Sequence, residues 1–184
     1  MFHTIVSSSR IIAETRREYG VRGIARHARA TAQYALALRD HPKPNEFDQP
    51  RVDHLSLAWP DLPPALDGLR IVHLSDLHVC SWMPLHLLQR AARLAVAQRP
   101  DLIVLTGDYI SHGRHADRYA RIGADGMAEL DAPLGVYGCL GNHDYADDPQ
   151  IIVRAFERVG IPMLVNNHRR LPVGSDALWL LGVD

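Results

Sequence analysis

The chain has 184 residues, 47% hydrophobic and 22% charged, with a formal net charge of -1. That is enough material for one good core, and the balance speaks against a general polyanion or nucleic-acid binder. No run approaches the roughly 18 apolar residues needed to span a bilayer, and Arg16-Arg17 is not followed by an apolar stretch that would make a secretion signal.

From Met1 to Arg39 there are seven arginines and only two acidic residues, Glu14 and Glu18. Val21, Ile24, Ala28, Thr31, Ala35 and Leu38 recur at helical spacing there, so one or two helices are expected between about Ser9 and Arg39. Such a stripe beside Arg22, Arg26 and Arg29 suits a helix lying on an anionic membrane surface, or one packed on the protein itself. His41-Pro42-Lys43-Pro44-Asn45 breaks the pattern and marks a linker. The domain boundary is placed there: residues 1–45 as a helical, arginine-rich extension, and 46–184 as the start of the main domain.

Beyond the linker, the alternation of Leu55, Leu57 and Trp59 predicts a half-buried strand. Leu69 to Leu74 is a second predicted strand, and Leu85 to Gln98 a helix. Asp101 to Leu105 is a nearly uninterrupted apolar run, as expected of a strand covered on both faces. A helix around His115 to Leu130 follows, then a strand from Gly135 to Leu140 and a helix from about Pro149 to Val159. Met163 to Val165 and Ala177 to Val183 read as strands with a turn at Asn166-Asn167, and His168 as a turn residue. Strand-helix-strand repetition implies parallel βαβ units, whose working edge lies beyond the carboxyl ends of the strands.

Three islands fall at that edge: Asp76-Leu77-His78, Gly107-Asp108 and Gly141-Asn142-His143-Asp144. A phosphate ester resists attack because its oxygens repel the nucleophile. Two divalent ions overcome this by neutralising the oxygens and lowering the pKa of a bound water. Mixed carboxylate, imidazole and amide donors suit transition metals such as manganese, iron or zinc. Asp76 and His78, two apart on an extended strand end, would share a side and grip one ion. Asp108 would bridge both ions, Asn142 would hold the second, and His143 would meet a phosphate or leaving oxygen. Gly107 and Gly141 are expected where the backbone turns sharply. Taken singly, an Asp-x-His pattern is common without a metal, Gly-Asp after an apolar strand also reads as a turn, and Gly-Asn-His-Asp as a hairpin turn or a helix cap with Asn142 or Asp144 capping.

Leu74-Ser75-Asp76-Leu77-His78, Leu105-Thr106-Gly107-Asp108-Tyr109 and Leu140-Gly141-Asn142-His143-Asp144-Tyr145 resemble the calcineurin-like metallophosphoesterases. Ser81-Trp82-Met83-Pro84 and Val165 to Leu171 are similar to a bacterial subgroup that includes lipid phosphodiesterases of the UDP-2,3-diacylglucosamine hydrolase type. The resemblance runs from about Leu55 to Asp184 and implies an α/β fold, a two-sheet sandwich flanked by helices. It implies Asp76, His78, Asp108 and Asn142 as metal ligands and His143 as the catalytic group. The implied activity is hydrolysis of a phosphodiester on a lipid- or nucleotide-linked substrate.

The chain departs from that family twice. The family continues with a further ligand histidine and a Gly-His-x-His element, and neither occurs here. A C-terminally truncated domain is therefore expected, with a catalytically inactive remnant as the alternative reading and a nuclease as another. Ser111-His112 stands where many relatives carry Asp-Arg, whose aspartate orients the catalytic histidine. His73 reads as a satisfied sheet histidine, His112 and His115 as loop residues, and Trp82 and Met83 as either an acyl wall or a cover for the sheet end. Cys80 and Cys139 read as buried small fillers in a reducing compartment. The expected location is cytoplasmic, peripheral at the inner membrane surface.

Overall fold

The computed structural model describes residues 50–80, 83–111 and 115–183. The predicted N-terminal helices, Trp82 and His112 lie outside the described residues.

Strand β1 (Ile71–Leu74), helix α1 (Leu85–Ala97), strand β2 (Leu102–Leu105), helix α2 (Ala116–Met127), strand β3 (Val136–Gly138) and helix α3 (Pro149–Arg158) follow one another as expected. The three strands form one parallel sheet in the order β1-β2-β3, with Val72 opposite Ile103 and Ile103 opposite Val136. Past the carboxyl ends of β1 and β2 a single bridge joins Val79 to Ile110, and another sets Met163 beside Gly138 of β3.

Strand alternation sorts the side chains onto two faces. Val72, Leu74, Ile103, Leu105 and Val136 turn toward the helices, where Leu88, Ala92, Ala120, Met127, Ile152 and Phe156 complete the main core. Ile71, Leu102, Val104 and Tyr137 turn the other way and meet Leu171, Leu178 and Leu180. Those last residues belong to an antiparallel hairpin, β4 (Asn167–Val173) with β5 (Asp176–Gly182). The layers are thus helices, parallel sheet and hairpin. Cover on both sides explains why β2 is apolar at every position.

The helices begin where the sequence supplies a start. Pro84 precedes α1, and Pro149 opens α3 after Asp148, whose side chain accepts from Gln150 N at 3.0 Å.

Four expectations are corrected. Residues 51–59 form no strand, and Leu55 and Trp59 are 51% and 56% exposed; the alternation is present, but among the described residues no strand pairs with it. Met163 contributes one bridge rather than a strand. His168 is not a turn residue: it lies in β4, pairs with Leu181, and its ring approaches that of Trp179 with centroids 5.4 Å apart. The reversal comes at Gly174-Ser175 instead, where Gly174 has φ +56. Cys80 and Cys139 are half-buried rather than buried fillers, and neither is in a disulfide. Met83 packs on the main core, which favours its reading as cover for the sheet.

Candidate metal centre at the carboxyl edge of the sheet

All three islands meet at the carboxyl edge of β1, β2 and β3. The mechanism differs from simple alternation along a strand. Asp76, His78 and Asp108 have φ of +56, +43 and +54, left-handed values rare for residues with a Cβ. The chain leaving β1 therefore kinks at Asp76 and again at His78. This, rather than an extended strand end, brings the two side chains to one side.

The kinked segment runs beside the end of β2. Asp76 N donates to Gly107 O at 3.1 Å, His78 N to Asp108 O at 2.9 Å, and Val79 N to Tyr109 O at 2.9 Å. Gly107 has φ +89, and a Cβ there would overlap the backbone of Gly141. A Cβ at Gly141 would in turn overlap Asp108. Glycine is required at both places because the second and third islands touch main chain to main chain.

The candidate side chains converge on His78, which is buried to 9% exposure. Its Nε2 lies 3.5 Å from Asp76 Oδ1 and 3.7 Å from Asp108 Oδ2. The ring of His143 meets that of His78 edge-on, with centroids 4.8 Å apart and planes at 84°. One ligand atom each from His78, Asp108 and His143 falls within 4.8 Å of the other two. Two imidazoles and a carboxylate so grouped, with Asp76 alongside, fit a divalent transition metal. Asn142 begins the 3-10 turn Asn142–Tyr145 at the same edge and is exposed, one residue before His143.

The neighbours of this group are also ordered. Ser75 Oγ donates to Asp76 Oδ2 at 2.6 Å, and His143 N donates to Asp108 Oδ1 at 2.9 Å. Ser111 is buried and donates to the carbonyl of His78 at 3.3 Å. Ser111 thus braces the backbone of His78. His73 shares a 2.6 Å hydrogen bond with Thr106 Oγ1, and burial lowers its imidazole pKa against the opposing pull of Asp76. It is the satisfied sheet histidine expected from the sequence.

Sequence reasoning gave Asp144 no role beyond a cap. It is fully buried, at 0% exposure, and accepts from Asp108 N, Tyr109 N and Gly141 N at 2.8, 2.9 and 2.9 Å. Burial pushes its carboxyl up to about 6; the three N–H bonds oppose that rise and the charge of Asp108 adds to it. Tyr109 is buried beside it and donates its hydroxyl to the carbonyls of Leu105 and Cys139. The signal in the sequence was the lone acidic residue closing the third island.

The family model described as calcineurin-like phosphoesterase matches residues 69–178. The chain is 37% identical over 109 residues to the UDP-2,3-diacylglucosamine pyrophosphatase LpxG of Chlamydia trachomatis, covering 58% of this chain and 31% of that protein. It is 32% identical over 139 residues to the uncharacterized metallophosphoesterase YkoQ of Bacillus subtilis, covering 73% of this chain and 50% of the relative. It is 31% identical over 121 residues to the phosphodiesterase YaeI of Escherichia coli, covering 60% of this chain and 44% of the relative. The chain therefore spans between 31% and 50% of the length of these curated relatives. No solved structure matches it. The chain belongs to the calcineurin-like phosphoesterase family.

Proposed function

From that membership, we propose that the edge site hydrolyses a phosphodiester or pyrophosphate linkage in a lipid- or nucleotide-linked substrate, using two divalent metal ions. Asp76, His78 and Asp108 would hold one ion, and Asp108 with Asn142 the other. Bound there, the ions would neutralise phosphate oxygens and lower the pKa of a water. His143 is the group left to act on the substrate: its imidazole donates a proton to the leaving oxygen or hydrogen-bonds a non-bridging one. The supporting observation is the convergence of His78, Asp108 and His143 within 4.8 Å.

The lipid assignment draws on the printed name of the LpxG relative, a pyrophosphatase of UDP-2,3-diacylglucosamine. The same reading gives residues 1–45 a task. Their arginines would hold the chain against anionic lipid, where such a substrate resides. Among the described residues, no helix is long and apolar enough to cross a membrane. A nuclease reading would need a cationic path for the strand, and the net charge is -1.

The test is hydrolysis of bis(4-nitrophenyl) phosphate, of a UDP-linked diacylated sugar and of single-stranded DNA, each with Mn²⁺ and with EDTA. Metal-dependent cleavage of the lipid nucleotide with little action on DNA supports the reading. No EDTA-sensitive cleavage of any substrate would remove it. A second reading rests on the same triad: a single ion held by His78, Asp108 and His143. Metal stoichiometry separates the two.

A further inference from the structure

We infer that Asp144 is a positioning residue, whose buried carboxylate holds the strained backbone of Asp108 and so aims the carboxylate of Asp108 at His78. Its consequence for metal binding rests on the proposed function; its grip on the backbone does not.

The ladder between β2 and β3 stops at Leu105 and Gly138, with one more bond from Cys139 N to Leu105 O at 2.9 Å. Beyond it the two chains bear the second and third islands. There Asp144 serves as acceptor for both. Its Oδ2 takes the N–H groups of Asp108 and Gly141, and its Oδ1 takes that of Tyr109. Asp108 is left-handed at φ +54. Such a conformation in a residue with a Cβ persists only where its surroundings over-determine it. Asp144 provides that constraint by holding the N–H of the peptide on each side of the Asp108 Cα.

The neighbouring residue returns the grip. His143 N donates to Asp108 Oδ1, which leaves Oδ2 facing His78 Nε2 at 3.7 Å. Two consecutive residues thus fix Asp108: the carboxylate of Asp144 holds its backbone, and the backbone N–H of His143 holds its side chain. A plain cap of the 3-10 turn would need only the Gly141 bond. The bonds to Asp108 and Tyr109, 36 and 35 residues away, have no part in capping.

The 184-residue protein and its Asp144→Asn variant are compared by amide hydrogen exchange without metal and by calorimetric titration with Mn²⁺. The amide keeps one carbonyl oxygen and sets an NH₂ against at least one N–H. Faster exchange is expected at Asp108, Tyr109 and Gly141, with Val72 and Ile103 unchanged. Mn²⁺ affinity is expected to fall roughly 10–100-fold, the usual effect of removing a group that orients a ligand. Met127→Ala, at the far end of α2, serves as a control of lowered stability and should leave Mn²⁺ affinity intact. If Asp144→Asn fails to fold, Asp144→Glu, which keeps the charge but displaces the oxygens, is read in the same way. Unchanged exchange at the three amides, unchanged affinity, or an equal loss of affinity in Met127→Ala would overturn the inference. Should the wild type take up no Mn²⁺, the metal reading fails, and the exchange data alone decide whether Asp144 holds Asp108.

Discussion

The backbone N–H of His143 donates to the side chain of Asp108 at 2.9 Å, across 35 residues of sequence. This bond joins the proposed bridging ligand to the proposed catalytic residue. Replacing Asp108 therefore has two effects. Asp108→Ala should abolish metal-dependent hydrolysis and leave the His143 N–H without its acceptor. Assay of an aryl phosphodiester at saturating Mn²⁺ checks this, and activity near that of the wild type would remove Asp108 from the site.

His143 has a separable role. His143→Ala should retain metal and lose turnover by roughly 10²–10⁴-fold, the range for a positioned proton donor. The measurement is kcat alongside Mn²⁺ affinity. Loss of metal together with rate would instead favour the single-ion reading.

The strain at Asp76 gives a test in which stability and function move apart. Asp76 has φ +56 and is half-buried. Glycine accepts that conformation freely, so Asp76→Gly should hold or raise stability by up to about 1 kcal/mol while weakening metal binding. Thermal denaturation and Mn²⁺ titration on one preparation report both. A loss of stability above 1 kcal/mol would show that the Ser75 contact outweighs the backbone strain.

Gly107 is the opposite case. At φ +89, with Gly141 against it, Gly107→Ala strains the backbone and collides with main chain that cannot yield. The expected cost is about 3 kcal/mol or more, the upper range for overpacking. A denaturation midpoint close to wild type would mean that the two islands can separate.

Much of this edge was legible in the sequence because the strand cores are simple. Leu102 to Leu105 are apolar throughout, and Ile71, Val72 and Leu74 supply the apolar positions of β1, for a direct reason: both faces of the sheet are covered. Other parts were not legible. Leu55, Leu57 and Trp59 alternate as a strand does, yet pairing depends on a neighbour that alternation cannot reveal. Strand β4 escaped notice because Asn167 to Arg170 are polar and exposed and Pro172 interrupts; its partner β5 recruits it. Asp76 and His78 were matched to the correct side for the wrong reason, since two left-handed residues replace strand alternation. Asp144 was passed over because its three partners include residues 35 and 36 positions away.

The arginine-rich extension adds a prediction from sequence alone. Near an anionic surface each basic residue contributes about 1 kcal/mol. Binding to phosphatidylglycerol vesicles should therefore weaken as salt rises and disappear when residues 1–40 are deleted. Sedimentation with vesicles measures it. Binding unaffected by the deletion would free the extension from any lipid role.

The most direct test of the proposed centre is the number of Mn²⁺ ions bound per chain, taken by titration and confirmed by electron paramagnetic resonance. Two ions with a spin-coupled signal, both lost in Asp108→Ala, is the expected result. No bound manganese, or a full complement retained in Asp108→Ala, would contradict a two-metal site bridged by Asp108.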